Sequence, residues 1–233
     1  MYKIGVLARP DKLPSGNLAW VMNEMIRDVI IRYESDPVII VPLYTNYQKP
    51  CTNKGKLKLE QYLFACDGVI LPGGDHPYDY DIVAVKYLYE HDIPTFGICL
   101  GMQSMALAFD GEITYEALMG YQHNQKGKDY IHLVEIVPDS VLDEMLHTNQ
   151  IKVNSSHQDC IAKTDLTVCA ISPDGVIEAV AAPQKQFFLG VQWHPEAMIE
   201  YDMVSNQLFD AFFKAVGRYY EIKQHHRSDQ GKP

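Results

Sequence analysis

Cys99 stands between the apolar run Thr95-Phe96-Gly97-Ile98 and the segment Leu100-Gly101-Met102-Gln103, a strand that turns into a helix with a thiol at the corner. Glycines on either side, Gly97 and Gly101, allow the sharp turn that exposes a nucleophile above a sheet, for the steric reason that places glycines around the serine of G-x-S-x-G. A helix N-terminus beside the sulfur favours the thiolate through its unpaired amides. Such a nucleophile needs a base or ion-pair partner held by a third group. Gly190-Val191-Gln192-Trp193-His194-Pro195-Glu196 supplies both, with His194 where a strand ends, Glu196 two residues on, and Pro195 fixing one dihedral between them. Pro72-Gly73-Gly74 ends the preceding strand, so the Gly74 and Leu100 N–H groups can form an oxyanion hole; the plainer reading is a turn that needs glycine. Cys51, Cys66, Cys160 and Cys169 lack this setting and read as packing residues. No Cys-x-x-Cys pair is present, and neither a metal nor a cofactor is expected.

The elements that must position these groups alternate. Strands are predicted over 3–8, 38–42, 68–71 and 94–98, and helices over 17–33, 57–65, 82–91 and 100–109. In the first helix Leu18, Val21, Met25, Val29 and Tyr33 recur at the spacing of one face. Repeated β-α units force a mostly parallel sheet with helices on both faces, whose sites gather at the strand C-termini. Beyond Ile131 short strands at 131–137, 167–171, 177–181 and 187–191 predict a small antiparallel extension, and a last helix is predicted over 203–223. The expected organisation is one α/β domain of flavodoxin-like type over 1–224 and a flexible tail over 225–233.

Composition narrows the function. The chain has 233 residues, 47% hydrophobic and 21% charged, which is globular composition. Its formal charge of −10 repels phosphate backbones, so nucleic acid is not an expected partner. Polar residues interrupt every apolar run, no membrane partner is expected, and the N-terminal strand pattern without a leader predicts a cytoplasmic protein. The acidic run Asp75-His76-Pro77-Tyr78-Asp79-Tyr80-Asp81 reads as solvated loop charge, with selection of a cationic amine or a metal site as the sharper alternatives.

Gly-Ile-Cys-Leu-Gly-Met-Gln at 97–103 and Gly-Val-Gln-Trp-His-Pro-Glu at 190–196 resemble the class I glutamine amidotransferase superfamily, with Cys99, His194 and Glu196 matching its Cys-His-Glu triad. Leu-Pro-Gly-Gly at 71–74, Gln122-His123, His132-Leu133-Val134 and Val153-Asn154-Ser155-Ser156-His157 are most similar to its γ-glutamyl-γ-aminobutyrate hydrolase branch, peptidase family C26. The chain departs from that branch's Val-Asn-Ser-x-His-His-Gln at Gln158 and Asp159. The resemblance implies a γ-glutamyl amide bound over Cys99, an oxyanion hole from Gly74 and Leu100, and substrate contacts at Gly73, Gln103, Gln122, His123, Ser155 and His157. It implies a γ-glutamyl thioester, with a small γ-glutamyl conjugate or glutamine as the ligand. A homodimer is a further partner to consider, which the sequence itself does not reveal. The alternative is a glutaminase subunit that hands ammonia to a separate synthase. A binding module that keeps the fold without catalysis is a third reading.

Overall fold

The computed structural model describes residues 1–33, 38–43, 53–115 and 123–230, so Cys51 and Gln122 lie outside the described residues. In chain order the elements are β1 (Tyr2–Leu7), β2 (Arg9–Lys12), β3 (Leu18–Val21), α1 (Glu24–Arg32), β4 (Val38–Leu43), α2 (Asn53–Ala65), β5 (Gly68–Leu71), α3 (Asp79–Glu90), β6 (Thr95–Ile98) and α4 (Leu100–Ala108). There follow β7 (Glu112–Tyr115), β8 (His132–Ile136), α5 (Val141–Leu146), β9 (Gln150–Val153), β10 (Asp159–Lys163), β11 (Thr167–Ile171), β12 (Ile177–Ala181), β13 (Phe188–Val191), a 3₁₀ turn (Pro195–Ala197) and α6 (Met203–Gln230).

A nine-stranded sheet in the order β4-β1-β5-β6-β13-β12-β11-β8-β9 organises the molecule. From β4 to β13 neighbouring strands run parallel. From β13 to β9 they run antiparallel, so the expected extension is present, but its membership differs: the strand predicted over 187–191 is β13, the last of the parallel strands, and the four strands of the extension are β12, β11, β8 and the unpredicted β9. Helices cover both faces. Ile26 of α1, Leu142 of α5 and Phe209 and Phe212 of α6 pack with Phe96 and Trp193 on one side, while Leu63 of α2, Leu88 of α3 and Met105 of α4 pack with Val69 and Leu71 on the other. Residues 69, 70 and 71 of β5 alternate between these two cores, as the two-residue period of a buried strand requires.

Three further expectations are corrected. Residues 17–33 are not one helix: β3 pairs antiparallel with β2, Trp20 packs edge-on against Tyr80, and the helix starts only after Asn23, whose side chain accepts from the Met25 N–H. Leu18 and Met25 are exposed in consequence, and the buried face of α1 is Ile26, Val29 and Ile30. The last helix continues past 223 to Gln230, because no glycine or proline interrupts the polar stretch before Gly231. The acidic run is not solvated throughout: Asp81 is buried, pairs with Arg9 and accepts from the Tyr78 N–H, while Asp79 opens α3. Among the described residues no helix is long and apolar enough to cross a membrane.

Among the described glycines, Gly101 at the corner between β6 and α4 makes the closest approach to its surroundings. A Cβ on Gly101 would lie 2.0 Å from the Leu71 carbonyl oxygen, and one on Gly97 would lie 2.9 Å from the Gly101 carbonyl carbon. Both obstacles are backbone and cannot rotate away. Gly101→Ala is therefore expected to cost at least about 1–3 kcal/mol, read as a lowered midpoint in thermal or urea denaturation.

Candidate active site

Cys99 adopts φ 52° and ψ −108°, a left-handed conformation that L residues rarely hold, at the position immediately before α4. Its N–H donates to the Val191 carbonyl at 2.8 Å, and its own carbonyl accepts from the Gln103 N–H at 3.1 Å. The backbone is thus fixed from the neighbouring strand and from the helix it begins. In this setting the sulfur lines a cavity of about 300 Å³ together with Gly74, Gln103, Lys126, His157 and Asp159.

β6 and β13 are parallel neighbours with Gly97 opposite Gly190 and Ile98 opposite Val191, so both strands end at the same level. His194 follows β13 there, and its Nδ1 lies 2.8 Å from Glu196 Oε1, with the carboxylate buried. Burial by itself pushes the imidazole pKa down; the Glu196 carboxylate and hydrogen bonding with the Cys99 sulfur outweigh it and hold the pKa well above its ordinary value. Burial also pushes two thiols elsewhere upward, Cys66 to about 12 and Cys169 to about 11, which leaves them protonated and inert. Cys99 instead faces the cavity beside an imidazole.

Gly73 passes close to this pair: a Cβ there would sit 3.0 Å from His194 Cε1 and 3.7 Å from Cys99 Cβ. Gly74 abuts the Leu100 side chain and Arg9 in the same way. A side chain at either position would press on His194, Leu100 or Arg9, so the 72–74 backbone lies close against the site. A second cavity of about 290 Å³ shares Gly74 and Asp75 with the first and extends towards Arg9, Met22 and Tyr78.

Of the residues expected to touch substrate, Gln103 and His157 line the cavity and Gly73 borders the Cys99–His194 pair. His123 and Ser155 are buried and are not among its described lining residues; the Ser155 hydroxyl donates to the His123 carbonyl at 2.7 Å, a contact that shapes the wall from behind. Gln158 and Asp159, the two departures from the C26 pattern, both face the cavity.

Two residues escaped the sequence reading. Asn154 clamps His194 by its backbone, accepting from the His194 N–H at 2.8 Å and donating to its carbonyl at 2.8 Å. Gln192, wholly buried, directs its Nε2 at Cys99 Sγ (3.5 Å) and accepts from Gln103 Nε2 at 3.1 Å. Gln192 lies within the histidine motif and Asn154 within a second motif, so both were visible as residues; their roles depend on cross-chain distances that spacing does not encode.

A model of the family described as peptidase C26 matches residues 78–196. A glutamine amidotransferase-like protein of Rickettsia prowazekii is 28% identical over an alignment of 242 residues, covering 75% of this chain and 83% of that protein. The glutamine-hydrolysing GMP synthase of Francisella tularensis subsp. holarctica is 32% identical over 136 residues, which is 57% of this chain and only 25% of the relative's length. The glutaminase domain of Trypanosoma brucei CTPS, solved with bound acivicin, shares the fold with a TM-score of 0.68 at 17% identity, over 94% of each chain.

Asn154→Ala removes two hydrogen bonds to the His194 backbone and is expected to lower kcat by about ten- to a hundred-fold with KM little changed, measured by steady-state kinetics. Because the folded His194 pKa is raised, its contribution to stability is fully present below the unfolded value near ~6.5 and is lost as pH rises through the folded value. The urea midpoint of the wild type should fall across that window, and Glu196→Gln should flatten the fall.

Proposed function

The chain belongs to the peptidase C26 family, and on that premise we propose that it is a cysteine-dependent hydrolase of γ-glutamyl amide bonds in small molecules. The observation that carries this reading is the meeting of Cys99, at the head of α4 and open to a cavity, with a His194 whose other nitrogen side is held by Glu196.

In this mechanism the Cys99 thiolate attacks the γ-carbonyl carbon. The developing oxyanion is stabilised by the Gly74 and Leu100 N–H groups, donors that need no reorganisation because one is at the head of a helix and the other is fixed by close packing. His194 protonates the departing amine as the C–N bond breaks and leaves a γ-glutamyl thioester. The same imidazole then takes a proton from water, which attacks the thioester, releases glutamate and returns the sulfur as thiolate. Glu196 acts by holding the ring and stabilising the imidazolium.

The cavity's polar groups suit a glutamyl zwitterion. Gln103 commits Nε2 to the Asp159 carbonyl at 2.8 Å and to Gln192 Oε1 at 3.1 Å, so only its acceptor oxygen remains to engage a ligand. That oxygen and the Asp159 carboxylate match an α-ammonium group, and Lys126 matches an α-carboxylate. The leaving group extends past Gly74 and Asp75 towards the second cavity, where Asp75 favours a cationic amine.

A second reading, favoured by the match to a GMP synthase of which this chain spans a quarter, is a glutaminase that works with a synthase partner. Glutamate release by the purified chain alone separates the two. On a panel of glutamine, γ-glutamyl-γ-aminobutyrate and γ-glutamyl polyamines, the hydrolase turns over one conjugate faster than glutamine, and Cys99→Ala lowers that rate by about a thousand-fold or more. Equal release by Cys99→Ala overturns the mechanism, and turnover confined to glutamine that rises only with an added synthase favours the second reading.

A further inference from the structure

Behind the cavity wall, His123, His132 and Glu178 converge from three separate parts of the chain. His123 Nδ1 lies 3.4 Å from Glu178 Oε1, His132 Nε2 lies 3.4 Å from the same oxygen, and the three ligand atoms all fall within 4.8 Å of one another. Glu178 has no exposed surface, and neither of its carboxylate oxygens has a hydrogen-bond partner among the described residues. A carboxylate in that position needs positive charge at close range, since burying it uncompensated is costly.

Protons alone fit this arrangement poorly. A charge-assisted N–H···O contact is about 2.7–2.9 Å, shorter than either 3.4 Å separation. Donor atoms bound at about 2.0–2.2 Å around a tetrahedral ion, by contrast, stand about 3.3–3.5 Å apart. The far sides of both rings are oriented as those of metal-binding histidines are. His123 Nε2 faces Asp174 Oδ2 at 2.9 Å, and that carboxylate accepts from the Ser172 hydroxyl; His132 Nδ1 faces the Leu133 carbonyl at 3.1 Å. Those contacts engage the outer nitrogens, so the inner ones, His123 Nδ1 and His132 Nε2, are the nitrogens turned towards Glu178.

We infer that His123 Nδ1, His132 Nε2 and Glu178 form a buried binding site for one divalent transition ion of the zinc class. Imidazole and carboxylate donors in a small, closed set suit such an ion better than calcium or magnesium, which take shells dominated by oxygen. The second Glu178 oxygen is available to complete the coordination. The ion would join β8, β12 and His123. Because the His123 carbonyl accepts from the Ser155 hydroxyl at 2.7 Å and from the His157 N–H at 2.9 Å, it would also fix the wall that presents Ser156 and His157 to the cavity. Its role is structural, since the cluster is closed off and Cys99 requires no metal.

The test uses the full chain carrying Cys99→Ser, so that the reactive thiol cannot capture the ion. After chelator treatment and dialysis, zinc or cobalt is titrated in, and bound metal is measured by elemental analysis after gel filtration. One equivalent should be retained, the thermal midpoint should rise, and cobalt should give the intense visible bands of a four-coordinate nitrogen and oxygen site. In the same background Glu178→Gln and His132→Ala should weaken binding at least a hundred-fold, and Asp174→Asn by about ten- to a hundred-fold. Retention of no ion by the folded Cys99→Ser chain overturns the site whatever the other variants do. Undiminished binding by folded Glu178→Gln and His132→Ala, checked by circular dichroism, also overturns it.

Discussion

No side chain can stand at Gly97 or Gly101 without striking backbone, and the left-handed turn at Cys99 exists because none does. A non-glycine residue in such a conformation costs about 1–3 kcal/mol, which must be offset by surroundings that permit no alternative. Here they are the Val191 carbonyl on one side, the first turn of α4 on the other, and the Leu71 carbonyl pressed beneath Gly101. The same contacts that hold the strained residue bring the ends of β5, β6 and β13 together. Gly74, the Cys99–Leu100 corner and His194 are thereby gathered at one edge of the sheet, following β5, β6 and β13 in turn.

Electrostatics completes what packing begins. His194 is buried, which alone would keep it neutral, yet Glu196 and the Cys99 sulfur reverse that tendency. The imidazole is held from two directions, by Glu196 through its ring and by Asn154 through its backbone. Gln192 ties Gln103 to the sulfur, so the Gln103 side chain in the cavity is oriented from the same stretch after β13 that carries His194.

The Gln192 N–H donates to the Glu178 carbonyl at 2.8 Å. Glu178 therefore belongs to a backbone link with the active-site strand as well as to the buried histidine cluster. The cavity is walled on this side by segments that carry a buried carboxylate without a hydrogen-bond partner among the described residues, behind the surface that a substrate meets. Such a wall is rigid only if its buried charges are compensated, which is why the cluster bears on the geometry of the site.

Much of this was legible in the linear sequence. The glycine spacing around Cys99 and the His-Pro-Glu run are local, and local steric rules fix them: a strand must end, a helix must begin, and an imidazole two residues from a carboxylate can reach it. The β-α alternation likewise predicts a parallel sheet with covered faces, because crossovers of that length allow little else. Periodicity failed where tertiary contacts overrode it, as in residues 18–21, which satisfy a helical spacing but pair with β2. It was silent on β7 and β10, which make a separate two-stranded sheet, and on Asp81, whose burial depends on a guanidinium from β2. Asn154, Gln192 and the His123–His132–Glu178 cluster were decided only by the fold. Their partners are distant in sequence, and a hydrogen bond or a coordination shell is a condition on distances in space, which residue order alone does not set.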